Sequence, residues 1–256
     1  MASPQSDALA RSYRASQIAM ADRAAAIIAA FWRTQMGGVV DRSAADRWLD
    51  LSVPVLARAR RQSAMLGQGY YKADRRLNNP GSATISLPPV PALDPKILTT
   101  SLWVTGAQPY VDAERSVDDI LSPERINQIT GAVARQTMSG GREAVDTARQ
   151  VDPIAFGYYR ETDGDPCYFC AVLASRGVVY KDDSFDESDP RFEGEGKAKV
   201  HDECACFNRP AYDRSNRFPG ATQDYNDKWL ELTGVDSKGR PIDPIKEFRQ
   251  RFENRY

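Results

Sequence analysis

Between Asp7 and Met36 apolar side chains return every three or four residues, at Leu9, Tyr13, Ile18, Ala21, Ala25, Ile28 and Trp32. Alanine is dense among them, so the spacing predicts one long helix, stopped by Gly37 and Gly38. Asp41 or Ser43 caps a second helical stretch, where Trp48, Leu51, Val55, Ala59, Met65 and Leu66 form one stripe. Arg58, Arg60 and Arg61 fall largely outside that stripe, and Pro54 is expected to kink or divide the stretch. Tyr70, Tyr71, Lys72, Arg75 and Arg76 then lead to Asn78, Asn79, Pro80 and Gly81, which end the helical region.

Pro80, Pro88, Pro89, Pro91 and Pro95 exclude helix from residues 80–95, and Thr84 to Leu87 between them favour extended backbone. This reads as a linker or an arm laid along another surface. A short strand or helix around Leu98 to Thr105 follows. Ser122-Pro123-Glu124 places an N-cap before a proline in the first turn and opens a helix running to about Met138. Gly140-Gly141 is expected to break it, leaving Arg142 to Val151 as a further helix.

From Phe156 the pattern changes to short aromatic and β-branched runs. Phe156–Arg160 and Val178–Tyr180 are candidate strands, with Ala171–Ser175 a short buried helix closed by Gly177. Residues 181–199 form an acidic surface excursion, and Thr222–Thr233 and Asp243–Arg255 are candidate amphipathic helices. The expected class is α+β. An α-rich N-terminal module (1–78) precedes a proline-rich extended arm and connector (79–121) and a helical pair (122–152). A small α+β module organised by Cys and His (153–215) and C-terminal helices (216–256) complete the chain.

Composition narrows the classes. The 256 residues are 41% hydrophobic and 27% charged, which suits a folded chain and excludes a wholly disordered one. The longest apolar run, Ala24 to Trp32, is too short to span a bilayer and too far from the start for a secretory signal, so no membrane contact is expected and the thiols are expected to be reduced. The net charge of -1 conceals a gradient: residues 1–100 carry 13 basic and 7 acidic side chains, whereas 161–220 carry 8 and 13. A single histidine excludes any chemistry that needs two imidazoles.

That histidine and all four cysteines lie within forty positions, as Cys167-Tyr-Phe-Cys170 and His201-Asp-Glu-Cys204-Ala-Cys206. Thiolate and imidazole are the ligands zinc selects, and C-x2-C lets two sulfurs from one tight turn reach one ion. Four of Cys167, Cys170, His201, Cys204 and Cys206 would close a structural zinc site, with His201 as a ligand, as a donor to one, or as a packed residue. The competing reading is a set of reduced, partly buried thiols that pack hairpin ends without metal. A zinc-dependent nucleobase deaminase is a further alternative, because Pro166-Cys167-x-x-Cys170 and His201-x-Glu203 both occur, although in reversed order. An intracellular zinc-stabilised nucleic-acid-binding module is the third.

The string from Cys167 through Cys-Ala-Val-Leu-Ala-Ser-Arg-Gly to Tyr180, with His201 to Cys206 and Pro210, closely resembles the minor capsid, or head morphogenesis, proteins of tailed bacteriophages. These are the proteins similar to protein F of phage Mu (MuF-like), and the version in phages of actinobacteria looks closest. The resemblance extends through Gly140-Gly-Arg-Glu143 and Tyr70-Tyr71 and down to Phe248-Arg249. It implies a non-enzymatic virion protein, in several copies at the portal vertex inside the head. Such a protein passes through the host cytoplasm during assembly and serves head assembly and genome packaging or delivery. Its implied partners are the portal protein, the major capsid protein and genomic double-stranded DNA. Arg58, Arg60, Arg61, Arg75 and Arg76 form the densest basic cluster and are the candidate contact with DNA or portal, against the alternative of a solvated face.

Overall fold

The computed structural model describes residues 3–38, 41–112, 116–162, 168–175, 177–178, 205–213, 218, 221–232, and positions 234, 239, 240, 243, 245–247 and 250. It is mostly helical, with one two-stranded antiparallel sheet among the described residues. Three long helices form its frame: α1 (Pro4–Met36), α2 (Arg42–Asn78) and α6 (Pro123–Val151), each packed against the other two. Short helices α3 (Pro95–Leu102), α4 (Gln108–Val111) and α5 (Val117–Ile120), with a π-helical turn at Trp103–Ala107, join α2 to α6. Strands β1 (Gly157–Glu161) and β2 (Phe207–Ala211) pair with Gly157 opposite Ala211 and Glu161 opposite Phe207. Helices α7 (Tyr168–Ser175) and α8 (Ala221–Leu232) pack on each other beside that ribbon.

The helix starts follow the local chemistry. Ser3, Asp41 and Ser122 each accept a hydrogen bond from a backbone N–H of the first turn, at Ser6, Ala44 and Arg125, and Pro4 and Pro123 occupy positions where no N–H is required. α1 therefore begins three residues before the Asp7 start expected from periodicity. Pro54 does not divide α2, which continues through it. Pro54 is exposed and so is Asp50, so the carbonyl that loses its partner faces solvent.

Gly140-Gly141 does not break α6 either, so the expected helical pair is one helix of 29 residues. The reason lies across the interface. A Cβ on Gly140 would sit 2.2 Å from the carbonyl oxygen of Arg60, one on Gly141 would meet Gln17 Nε2 at 2.4 Å, and one on Gly67 would meet the carbonyl oxygen of Gly141 at 2.7 Å. The three glycines are where the helices cross, and close backbone packing outweighs their poor helix propensity.

Two apolar clusters fill the bundle. The larger is centred on Trp32 and Trp48, fully buried and edge to face at 4.8 Å, with the Trp32 indole N–H donating to the Ile120 carbonyl. The smaller stacks Tyr13 on Tyr70 at 4.3 Å and receives Phe207 of β2 edge-on, which fixes the sheet to the helices. No described helix is long and apolar enough to cross a membrane.

The stretch 82–94 forms neither helix nor strand, in keeping with its prolines. It is tied to α2 where Arg75 Nη1 donates to the Ala83 carbonyl at 2.6 Å and Gln68 Nε2 to the Pro88 carbonyl at 2.7 Å. Val178 lies at a bend and β1 takes β2 as its partner instead; Val179 and Tyr180, like residues 179–204 as a whole, lie outside the described residues.

Candidate functional site

Of the five candidate ligands, Cys170 and Cys206 are described and both are buried; Cys167, His201 and Cys204 lie outside the described residues. Cys170 is the third residue of α7 and Cys206 immediately precedes β2, yet their sulfurs are 3.7 Å apart. Thirty-six positions of sequence are thus closed into a direct contact.

Two buried arginines converge on Cys206. Arg160 of β1 directs Nη1 at Cys206 Sγ, 3.2 Å away. Arg142 of α6 donates from Nε and Nη2 to the Cys206 carbonyl at 2.9 and 2.7 Å. Each arginine is 1% exposed, so the positive charge acts on the sulfur through protein rather than water. No spacing rule in the sequence points to either residue; they become visible only once β1, β2 and α6 are assembled. Among the described residues no group of three or more His, Cys, Asp and Glu side chains is arranged around a single point.

A second buried network holds this module to the bundle. Arg209 of β2, 1% exposed, donates to Asp7 Oδ1 at 2.6 Å, to Glu161 Oε2 at 2.8 Å and to Ser6 Oγ at 2.8 Å. Ser6 Oγ in turn donates to Asp74 Oδ1 at 2.5 Å. Arg14 adds a bond to the Thr162 carbonyl at 2.8 Å. Burial pushes the Asp74 carboxyl above the ordinary carboxylate range, against the lowering effect of the Ser6 hydrogen bond and the Arg209 charge.

That direction has a sign for stability. The folded state holds the Asp74 proton more tightly than the unfolded chain, so the cost of burying its charge is present at high pH and disappears as pH falls through the raised value toward 3.8. Asp74→Asn is therefore expected to be most stabilising, relative to wild type, at pH 8, with the difference shrinking once pH falls below the raised value and largely gone near pH 4. Parallel urea titrations of the two proteins across that range check it, and a difference that grows on acidification would refute it.

The five basic candidates divide. Arg60 is buried against Glu143 at 2.5 Å and the Gln136 carbonyl at 2.9 Å, and Arg75 is buried against Asp152 at 2.7 Å, with Tyr71 on the same carboxylate at 3.0 Å. Both guanidinium groups are committed inside the bundle, which removes them from the contact surface expected for them. Arg58, Arg61 and Arg76 are exposed on α2, and Lys72, which was not among the five, joins them. Asp74 is the only acidic residue between Asp50 and Asp94, and it is buried, so residues 51–93 themselves add no exposed carboxylate to this face.

Comparison with known proteins adds a family. The model of the family described as VG15 protein matches residues 4–232. The Gene 15 protein of Mycobacterium phage D29 is 27% identical over 139 residues, covering 52% of this chain. The chain matches 47% of that relative's own length. No solved structure matches.

Proposed function

Because the chain belongs to the VG15 protein family, we propose that it is a phage minor capsid protein of the head morphogenesis type, seated at the portal inside the head. The observation that carries this reading is the family match over residues 4–232, together with a phage protein as its relative. The MuF-like string around Cys167 to Tyr180 and His201 to Cys206 supplies the finer assignment to head assembly. In this reading the protein is non-enzymatic and present in several copies per portal vertex. It touches portal and major capsid protein, is assembled in the host cytoplasm, and acts in packaging or delivery of the genome.

Double-stranded DNA is the partner suited to the α2 face. Arg58, Arg61, Lys72 and Arg76 lie along nineteen residues of one helix, about 27 Å from first to last, a reach of several phosphates. Nothing among them reads base edges, so the contact is with the backbone and independent of sequence.

Mass spectrometry of purified virions, followed by a cryo-EM map of the portal vertex, tests the assignment: the expected result is this chain inside the head against the portal. Its absence from mature and immature particles would overturn the reading. For the DNA contact, log affinity is expected to fall with log salt with a slope between about −3 and −4. Changing Arg58, Arg61, Lys72 and Arg76 together to alanine should flatten that slope, whereas Arg60 and Arg75 would act through stability instead. Binding that is indifferent to salt would refute the DNA contact.

A further inference from the structure

We propose that Cys170 and Cys206 are a redox pair, two thiols inside the cell and one disulfide once the protein meets an oxidising medium. Their sulfurs stand 3.7 Å apart, whereas a disulfide places them at about 2.05 Å. The gap to close is therefore about 1.7 Å, shared between two side chains that each turn on a single torsion. The backbone at Cys206 is already held, because Arg142 donates from Nε and Nη2 to its carbonyl at 2.9 and 2.7 Å. Closure is thus a movement of sulfur and leaves the chain where it is.

The surroundings of the sulfurs suit the step as well. The thiolate is the attacking form, and Arg160 directs a charged Nη1 at Cys206 Sγ from 3.2 Å. A positive group beside a sulfur stabilises its thiolate, which makes Cys206 the attacking side. Cys170, 4% exposed against 1% for Cys206, is the sulfur that a small oxidant reaches first. With oxidised glutathione, the Cys170 thiol loses its proton and bonds one glutathione sulfur while the other leaves as a thiol. The Cys206 thiolate then attacks the Cys170 sulfur and expels the second glutathione, which takes up a proton. Two protein thiols and one small disulfide become one protein disulfide and two small thiols.

The bond has a mechanical consequence. Cys170 lies in α7, and Cys206 immediately precedes β2, whose Phe207 packs edge-on against Tyr13 and Tyr70. Among the described residues α7 and α8 meet the rest of the fold mainly at β1. A disulfide ties that helix pair to the strand that docks on the bundle and closes the loop 170–206. The cytoplasm keeps such a pair reduced, and the medium outside the cell does not. On the virion reading above, on which this timing rests, the chain is assembled unlinked and fastened after the particle is released.

The test uses the full chain, purified under reducing conditions and then exchanged into oxidised glutathione. The expected product is a joined pair of tryptic peptides, 161–176 with 200–214, whose fragment ions place the bond between Cys170 and Cys206. The thermal midpoint should rise by about 5–10 °C on closure and fall back with dithiothreitol. Cys170→Ala should abolish that bond and the rise; should the variant fail to fold, the peptide map of the unaltered chain decides alone. Thiols that stay reduced under oxidised glutathione, whether packed or holding a metal, would overturn the proposal, as would a bond from either sulfur to Cys167 or Cys204. For the timing, thiol alkylation should find the pair reduced in infected cells and joined in released particles. The reverse in either place would refute it. A chain absent from particles would refute the virion reading instead, and the purified chain would still decide the pair.

Discussion

Replacing Arg209 by methionine is expected to lower the unfolding free energy by about 2–4 kcal/mol, below the full range for a buried ion pair broken from one side because the Asp7 and Glu161 carboxylates are partly exposed to water. The loss comes less from the bonds removed than from what remains. Asp7 and Glu161 would keep their charges beside a buried apolar side chain, and Ser6 would lose a donor. The structure supplies a control: Glu161 is opposite Phe207 on the ribbon and Asp7 lies in the first turn of α1, so one residue couples three elements. Adding Asp7→Asn and Glu161→Gln to the methionine variant should recover part of the loss, because the stranded charges are then gone. Chemical denaturation of the single and triple variants gives both numbers. A single-variant loss under about 1 kcal/mol would mean that the network is solvated and holds nothing.

Gly140→Ala is expected to destabilise by about 2 kcal/mol, although the same exchange on an exposed helix face stabilises by about 1 kcal/mol. The obstruction is the Arg60 carbonyl oxygen, 2.2 Å from the new methyl group; it belongs to a continuous helix and cannot rotate aside as a side chain would. α2 and α6 must separate at the crossing, and the contacts on either side separate with them. Gly69, on the same α2 helix with open space where a Cβ would stand, is the matched comparison: Gly69→Ala should gain up to about 1 kcal/mol. Opposite signs at the two positions are the prediction, read as the shift in thermal or denaturant midpoint. Stabilisation at both would show that the crossing has room to spare.

These two sites mark where local reading stops. Gly140-Gly141 is a break on propensity alone, because a glycine pair raises the entropic cost of helix and nothing nearby in sequence repays it. The compensation comes from Arg60, Tyr13 and Gln17, more than seventy positions away, whose approach requires the missing side chains. The basic cluster fails for a related reason. Arg58, Arg60 and Arg61 look alike in sequence, but a helix turns 100° per residue, and only Arg60 of the three meets α6, where Glu143 waits. A charge count cannot say which of three neighbouring arginines faces inward.

Other features were legible because their causes are local. Ser122-Pro123 opens α6 where its capping chemistry places the start, the prolines keep 82–94 free of helix, and Gly177 follows α7 with a positive φ of 61°. The contact between Cys170 and Cys206, and the arginines aimed at it, needed the assembled structure.

Read locally, the sequence places most of α1 and α2, the start of α6 with its Ser122 cap, the helix-free proline stretch and the resemblance to phage proteins, since each depends on residues within a turn or a short motif of one another. Only the tertiary structure decided that α6 is unbroken, that Arg60 and Arg75 are internal, and that Arg160 faces Cys206. Those outcomes depend on groups brought together from distant positions, where sterics at van der Waals contact and the cost of burying a charge outweigh any preference a local segment can express.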